Sequence, residues 1–322
     1  MNAPVSRRRG PAARRTAPAA LVCALGLTLV AGCGGDSSGA APADGSQSPV
    51  PTRDVVSSVR AVPALAGALP ADVRERGTLT LGAPLVNGST GLPLEGRDKD
   101  GRTIGIAADI REAVAKVLGV TWKVRTGTFA TIIPGVQNGK YDVGMGNFGV
   151  TRAREKVVDF ATYLNDGQSF LGAENAPVDR VRRLTDLCGL HVSASPGSTF
   201  QQILEDGAAD CARAGRKPYK VQYFSEQGPV FLGLANGKID VSFGPTLGVK
   251  YQAAHIPHTK YLGEISTTPV GFVTRRGTRL AKALSAAVNK LIDDGTYADI
   301  LRKWSLPDSG VDASRVNPPP TL

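Results

Sequence analysis

The stretch that decides the reading is KYDVGMGNFGVTRAREKVVDF, Lys140 to Phe160. Tyr141 to Val143 alternates like a strand. Gly144, Gly146 and Gly149 then let the backbone turn sharply and come close to a ligand. Thr151 is a good N-cap, and the free N–H groups of the helix it opens attract an anion. Arg154, in the first turn of that helix, adds a planar fork suited to a carboxylate. An arginine there opposes the helix dipole, so a helix with a purely structural role would favour an acid instead. The Gly144-x-Gly146-x-x-Gly149 spacing also matches a dinucleotide-binding fingerprint. That fingerprint should open its domain, whereas here a strand–helix–strand–helix array precedes it.

Outward from this run, strands and helices alternate. Leu79-Thr80-Leu81 reads as a strand after the turn at Gly77. Ile106, Ile110, Val114, Val117 and Leu118 lie on one face of a helix that Gly119 stops. Thr121 to Val124 is a strand, and Phe129, Ile132, Ile133 and Val136 form a short helix. A second set begins near Gly189. It has strands at His191–Ser193, Tyr219–Phe224 and Ile239–Phe243, with helices around Phe200–Leu204 and Val230–Leu234. A strand at Gly271–Val273 and a helix carrying Leu280, Leu284, Val288, Leu291 and Ile292 complete the pattern. The alternation predicts mainly parallel sheets with helices on both faces, in two successive α/β units. Ligands in such folds sit at the carboxyl ends of strands.

The ends of the chain address the compartment. Arg7, Arg8, Arg9, Arg14 and Arg15 precede an apolar stretch from Ala17 to Gly32, 16 residues long and too short to span a bilayer. A basic head, a short apolar core and a small-residue exit describe a signal peptide. The exit, Val30-Ala31-Gly32-Cys33, looks like a bacterial lipobox, with Cys33 as the lipid attachment site. Residues from Gly34 to about Pro70 are rich in Ala, Gly, Ser and Pro and read as a flexible tether. The end of the chain from Val311, with Pro318-Pro319-Pro320, reads as loose.

The formal net charge is +10, but half of it lies in the five leader arginines. No basic run with interleaved aromatics follows Cys33, which argues against nucleic acid as a partner. Beyond Cys23 in the leader and Cys33, two cysteines remain, Cys188 and Cys211. Outside the cytoplasm such a pair is expected to form a disulfide. A metal site is the competing reading, but it needs two more ligands, and no histidine has ligand-like spacing to them. His255-x-x-His258 contains Pro257 and reads as a surface loop. No nucleophile motif and no P-loop is present.

Several further segments carry a resemblance. They are Arg76-Gly77-Thr78-Leu79, Gly105 to Ile110, Ile133 to Val143 and Thr151-x-x-Arg154. Val157-Val158-Asp159-Phe160, Asn236-Gly237-Lys238-Ile239-Asp240, Asp294 to Tyr297 and Ile300 to Trp304 complete the series. In this order, over roughly residues 76–305, they resemble the family-3 extracellular solute-binding proteins, the polar amino-acid receptors of ATP-binding-cassette importers.

The resemblance implies a two-lobed α/β fold of the type II periplasmic-binding-protein kind, with two crossings between lobes and the ligand in the cleft. The implied layout is a signal peptide at 1–32, a tether at 33–70 and lobe 1 at 71–173. Lobe 2 follows at 174–267, then a return to lobe 1 at 268–308 and a loose tail at 309–322. Arg154 is implied to hold a ligand carboxylate, with Asn147 and Gly149 giving further bonds and Phe129 stacking. Ser198 and Thr199 are implied to complete the pocket from lobe 2. The implied partners are a small solute, an amino acid or related carboxylate, and an importer permease with a separate ATPase. The chain is expected to be monomeric, lipid-anchored on the extracytoplasmic face of the cell membrane, and to have no cofactor, metal or catalytic residue.

One departure bears on the ligand. Where the family places an acid for an amino acid's α-ammonium, this chain has Pro245, so Asp166 or Glu226 must substitute or the ligand lacks that group. The alternatives are an envelope enzyme of dehydratase type on the same scaffold, which needs a buried acid poised for proton transfer, and a solute-sensing lipoprotein without a permease.

Overall fold

The computed structural model describes residues 50–322. The signal peptide, Cys33 and the first part of the tether lie outside the described residues.

The chain enters through two short helices, α1 (Pro63–Gly67) and α2 (Ala71–Arg76), the second stopped by Gly77 at φ 62°. Strand β1 (Thr78–Pro84) follows, then a small hairpin of β2 (Gly96–Arg97) and β3 (Thr103–Ile104). Helix α3 (Ile106–Leu118) has the span that its apolar spacing predicts, and Gly119 ends it in the left-handed region at φ 64°. Strand β4 (Thr121–Gly127), helix α4 (Phe129–Gln137), strand β5 (Val143–Gly149) and the single turn α5 (Arg152–Glu155) lead to the long strand β6 (Val158–Ala173).

The second unit holds β7 (His191–Ala194), α6 (Thr199–Asp206), α7 (Asp210–Arg213), β8 (Lys220–Tyr223), α8 (Gln227–Ala235), β9 (Val241–Pro245) and α9 (Thr246–His255). The long strand β10 (Thr259–Arg275) returns to the first unit, which α10 (Leu280–Asp293) and α11 (Thr296–Lys303) complete.

The strands form one run in the order β4-β1-β5-β10-β6-β9-β7-β8. Within each unit the pairings of β1 with β4 and β5, and of β7 with β8 and β9, are parallel, as alternation predicts. At the centre β6 and β10 pair antiparallel along their whole length, from Thr259 opposite Ala173 to Arg275 opposite Val158. These two strands are the crossings. Their first-unit ends pack in the larger core with α3 and α10, and their second-unit ends carry Phe170 and Leu262 into a smaller core. Two lobes therefore share one hinge made of backbone hydrogen bonds.

Three expectations change. The glycine run is not a turn: Gly144 to Gly149 is strand β5. Its glycines make room for close packing, since a Cβ on Gly144 would lie 2.6 Å from Val273 and 2.7 Å from Ile132. The second change is in the tether. From Val50 on it packs against the larger core, with Val56 and Leu69 buried and the Val62 amide donating to the Val117 carbonyl at 2.9 Å. Its valines and leucines are spaced among small residues, so composition alone concealed an apolar face.

The third change is the tail, which is stitched down. Val316 bridges Ala161, Asn317 takes the Phe160 amide at 2.7 Å, and Ser314 O accepts from both Ser285 and Asn289 at 3.1 Å. Prolines cannot donate to a ladder, but the side chains between them can. The two remaining cysteines are joined: Cys188 and Cys211 form a disulfide with Cα atoms 5.6 Å apart.

Candidate functional site

Arg154 stands where the lobes meet. Thr151 caps the turn before it, accepting from the Arg154 amide at 3.2 Å. That turn is four residues long, so its end carries little dipole, and the charged group at this position is the guanidinium. Nη1 donates to the Gly149 carbonyl of lobe 1 at 3.0 Å, and Nη2 donates to the Gly197 carbonyl of lobe 2 at 3.1 Å. The cation lies over two aromatic faces, 5.6 Å from the centroid of Phe129 and 5.7 Å from that of Phe148. The rings themselves are 4.6 Å apart. Burial pushes the Arg154 guanidinium down to about 10, and no carboxylate among the described residues offsets this. A desolvated cation held by neutral dipoles and ring faces is an electrostatic demand for an anion.

The other residues expected from sequence sort as follows. Gly149 ends β5, where a Cβ would come 2.9 Å from the Thr268 methyl and 3.7 Å from that of Thr199, so the two lobes touch across it. Gly197, at φ 72°, lets the lobe 2 turn press on Ala130 at the start of α4. Thr199 is the first residue of α6, and Ser198 is its N-cap. The Ser198 hydroxyl accepts from the Gln201 amide at 3.2 Å and donates to the Ser195 carbonyl at 2.5 Å, so it serves the helix end. Phe129 opens α4 beside Arg154. Asn147 has φ 59°, and its amide donates to Asp166 Oδ2 at 2.8 Å. Asp109 of α3 accepts from Trp304 Nε1 at 2.7 Å and pairs with Lys303 at 2.8 Å, and so ties α3 to α11. His255 stacks on Tyr251, and His258 meets Glu174.

Sequence reasoning missed Phe148, Thr268 and Gln252. Phe148 sits one residue before Gly149 and forms the second ring face. Gln252, on α9, donates to the Thr90 carbonyl at 3.2 Å and to Gln227 at 2.8 Å. No local pattern marks it, because its partners are 162 and 25 residues away.

Pro245 ends β9 and is the N-cap of α9, where it has no side-chain acceptor to offer. Asp166 supplies one from the hinge: its Oδ1 accepts from the Leu247 amide at 3.1 Å and from Gly167 at 2.8 Å. Glu226 is exposed at the start of α8. Burial pushes the Asp166 carboxyl up to about 6, against its hydrogen bonds and with added repulsion from Glu264. A carboxyl raised on folding takes up a proton on folding. Its stabilisation is complete below the usual value of 3.8 and is lost as pH rises through about 6. Between pH 4 and 6.5 the wild-type protein should therefore lose stability relative to Asp166→Asn. Denaturant midpoints of both across that range measure it, and parallel curves would contradict the assignment.

Residues 86–307 match the model of the bacterial extracellular solute-binding proteins, family 3. An arginine-binding protein of Corynebacterium glutamicum is 26% identical over 264 residues, covering 80% of this chain and 84% of that protein. An ancestral arginine-binding protein bound to arginine is similar in structure, with TM-score 0.63 at 31% identity, over 71% of this chain and 98% of the other. An ancestral arginine-binding protein bound to glutamine gives TM-score 0.62, also at 31% identity and with the same coverage. Two lobes, two central crossings and these likenesses place the fold with the type II periplasmic binding proteins. The chain belongs to the bacterial extracellular solute-binding proteins, family 3.

Proposed function

We propose that this protein is the solute receptor of an ATP-binding-cassette importer, and that it captures an amino acid or related small carboxylate at Arg154. The observation that carries the reading is the half-buried guanidinium, without a carboxylate partner among the described residues, at the contact between lobes. A ligand carboxylate replaces two neutral carbonyls with one charged, two-pronged acceptor, and charge-assisted pairs of this kind are roughly twice as strong as neutral ones. Phe129 and Phe148 flank the ligand. The Gly197–Thr199 turn completes the enclosure, so closure follows from the extra contacts that the closed state offers the solute. The relatives named above for arginine, and the solved complex with glutamine, make those two solutes the first to test.

A thermal-shift screen of the purified protein tests this against the amino acids, their decarboxylated amines and their desamino carboxylates. A ligand that binds only the folded state raises the melting temperature by mass action. Stabilisation by carboxylate-bearing compounds and not by the amines is the expected result. Stabilisation by the amines alone overturns the role of Arg154.

The chain is further proposed to be anchored through lipid on Cys33, outside the cytoplasm, and to deliver its solute to a permease whose ATPase is a separate protein. Cys33→Ser should move the protein from the membrane fraction to the soluble fraction of its cell. Retention in the membrane fraction would end the anchor proposal.

A further inference from the structure

Asp166 lies midway along the hinge, on β6 opposite Thr268 of β10, and is 3% exposed. Its two oxygens face different parts of the molecule. Oδ2 holds the amide of Asn147, two residues before the carbonyl that Arg154 grips. Oδ1 holds the Leu247 amide in the first turn of α9. Asn147 is in the left-handed region, which a non-glycine residue occupies only when its surroundings hold it there. Asparagine tolerates that region through short polar bonds, and here the bond goes to the hinge.

Helix α9 belongs by chain order to lobe 2, yet it leans on lobe 1. Leu247 and Tyr251 pack with the larger core, and Gln252 reaches Thr90. The joint is tight, since a Cβ on Gly167 would lie 2.2 Å from Glu264 and 2.3 Å from Thr246.

We propose that Asp166 is a positioning residue for solute capture, which couples the Asn147–Gly149 segment of lobe 1 to helix α9, so that filling the site and seating lobe 2 occur together. The proposal rests on the solute-capture reading above.

The test exchanges donor and acceptor. In Asn147→Asp, at pH 8, the new carboxylate faces Asp166 Oδ2, two acceptors with no proton between them, and the tie is lost while Leu247 and Gly167 keep their acceptor. In the double variant N147D/D166N, an acceptor stands at 147 and a donor at 166, so the tie is restored. Aspartate also tolerates the left-handed backbone. The two variants, Arg154→Ala and the wild-type protein are screened against the twenty L-amino acids and their desamino carboxylates by thermal shift, and affinities are then measured by calorimetry. The compound that stabilises the wild type should bind N147D about tenfold or more weakly. The double variant should recover most of that loss.

If N147D fails to fold, Asn147→Ala replaces it, because it breaks the tie and leaves the α9 contact intact. The same loss is expected. Unchanged affinity in the variant that breaks the tie, or a double variant as weak as that variant, overturns the proposal alone. A wild type that none of these compounds stabilises, or an R154A variant that binds normally, overturns the solute-capture reading and this proposal with it.

Discussion

Arg154→Ala is expected to lower affinity for the solute by about a hundredfold to ten-thousandfold while the protein stays folded. The estimate comes from two charge-assisted hydrogen bonds, each worth about 1.5–3 kcal/mol. The fold should survive because the side chain makes no ion pair among the described residues: truncation leaves two backbone carbonyls and removes a half-buried cation. Arg154→Lys should fall between the two, since an ammonium keeps the charge and loses the fork. Calorimetric titration with the solute found in the thermal screen gives the affinities, and circular dichroism checks the fold. An alanine variant that binds as the wild type does would sink the carboxylate clamp. A variant that unfolds would show instead that the aromatic faces of Phe129 and Phe148 need the guanidinium for packing.

The second large effect concerns stability. Removing the Cys188–Cys211 disulfide, as in the double variant Cys188→Ala, Cys211→Ala, should cost about 3 kcal/mol on the chain-entropy account of a loop with separation 23. The loss should fall on lobe 2. Cys211 is fully buried in the smaller core, where Leu187, Leu204 and Tyr219 surround the bridge, while the larger core lies in lobe 1. Denaturant unfolding of the oxidised and substituted proteins measures the difference. Hydrogen exchange locates it, with β7 and α6 losing protection before α3 and α10. Equal midpoints would mean that the bridge constrains an unfolded chain already held together by other contacts.

The two expectations draw on different depths of the sequence. Helices α3 and α10 were legible because their apolar residues repeat at helical spacing and because Gly119 marks a stop. The cysteine pair was legible by counting, once the leader had assigned the compartment. Arg154 was legible because a capping threonine and a cation in a first turn are a local pattern, read within four residues.

The hinge was not legible. A 16-residue strand and a 17-residue strand contact each other along their length, and the pairing joins residues 86 to 117 positions apart, which no period reveals. The glycine run was misread for a related reason. Gly144 looks like turn chemistry from its neighbours in sequence, and its cause lies in Val273 and Ile132.

The sequence by itself determined the family, the two α/β units and the cysteine pair, and it singled out Arg154, because each is read from a count or from patterns between near neighbours. The tertiary structure alone decided that Asp166 serves two lobes, that Phe148 forms the second face over Arg154, and that the segments after Val50 and after Val311 are packed. In each of those cases the partner is far along the chain. Burial and hydrogen bonding are satisfied in space, and a polar or apolar residue shows which partner it needs only after the fold has brought that partner to it.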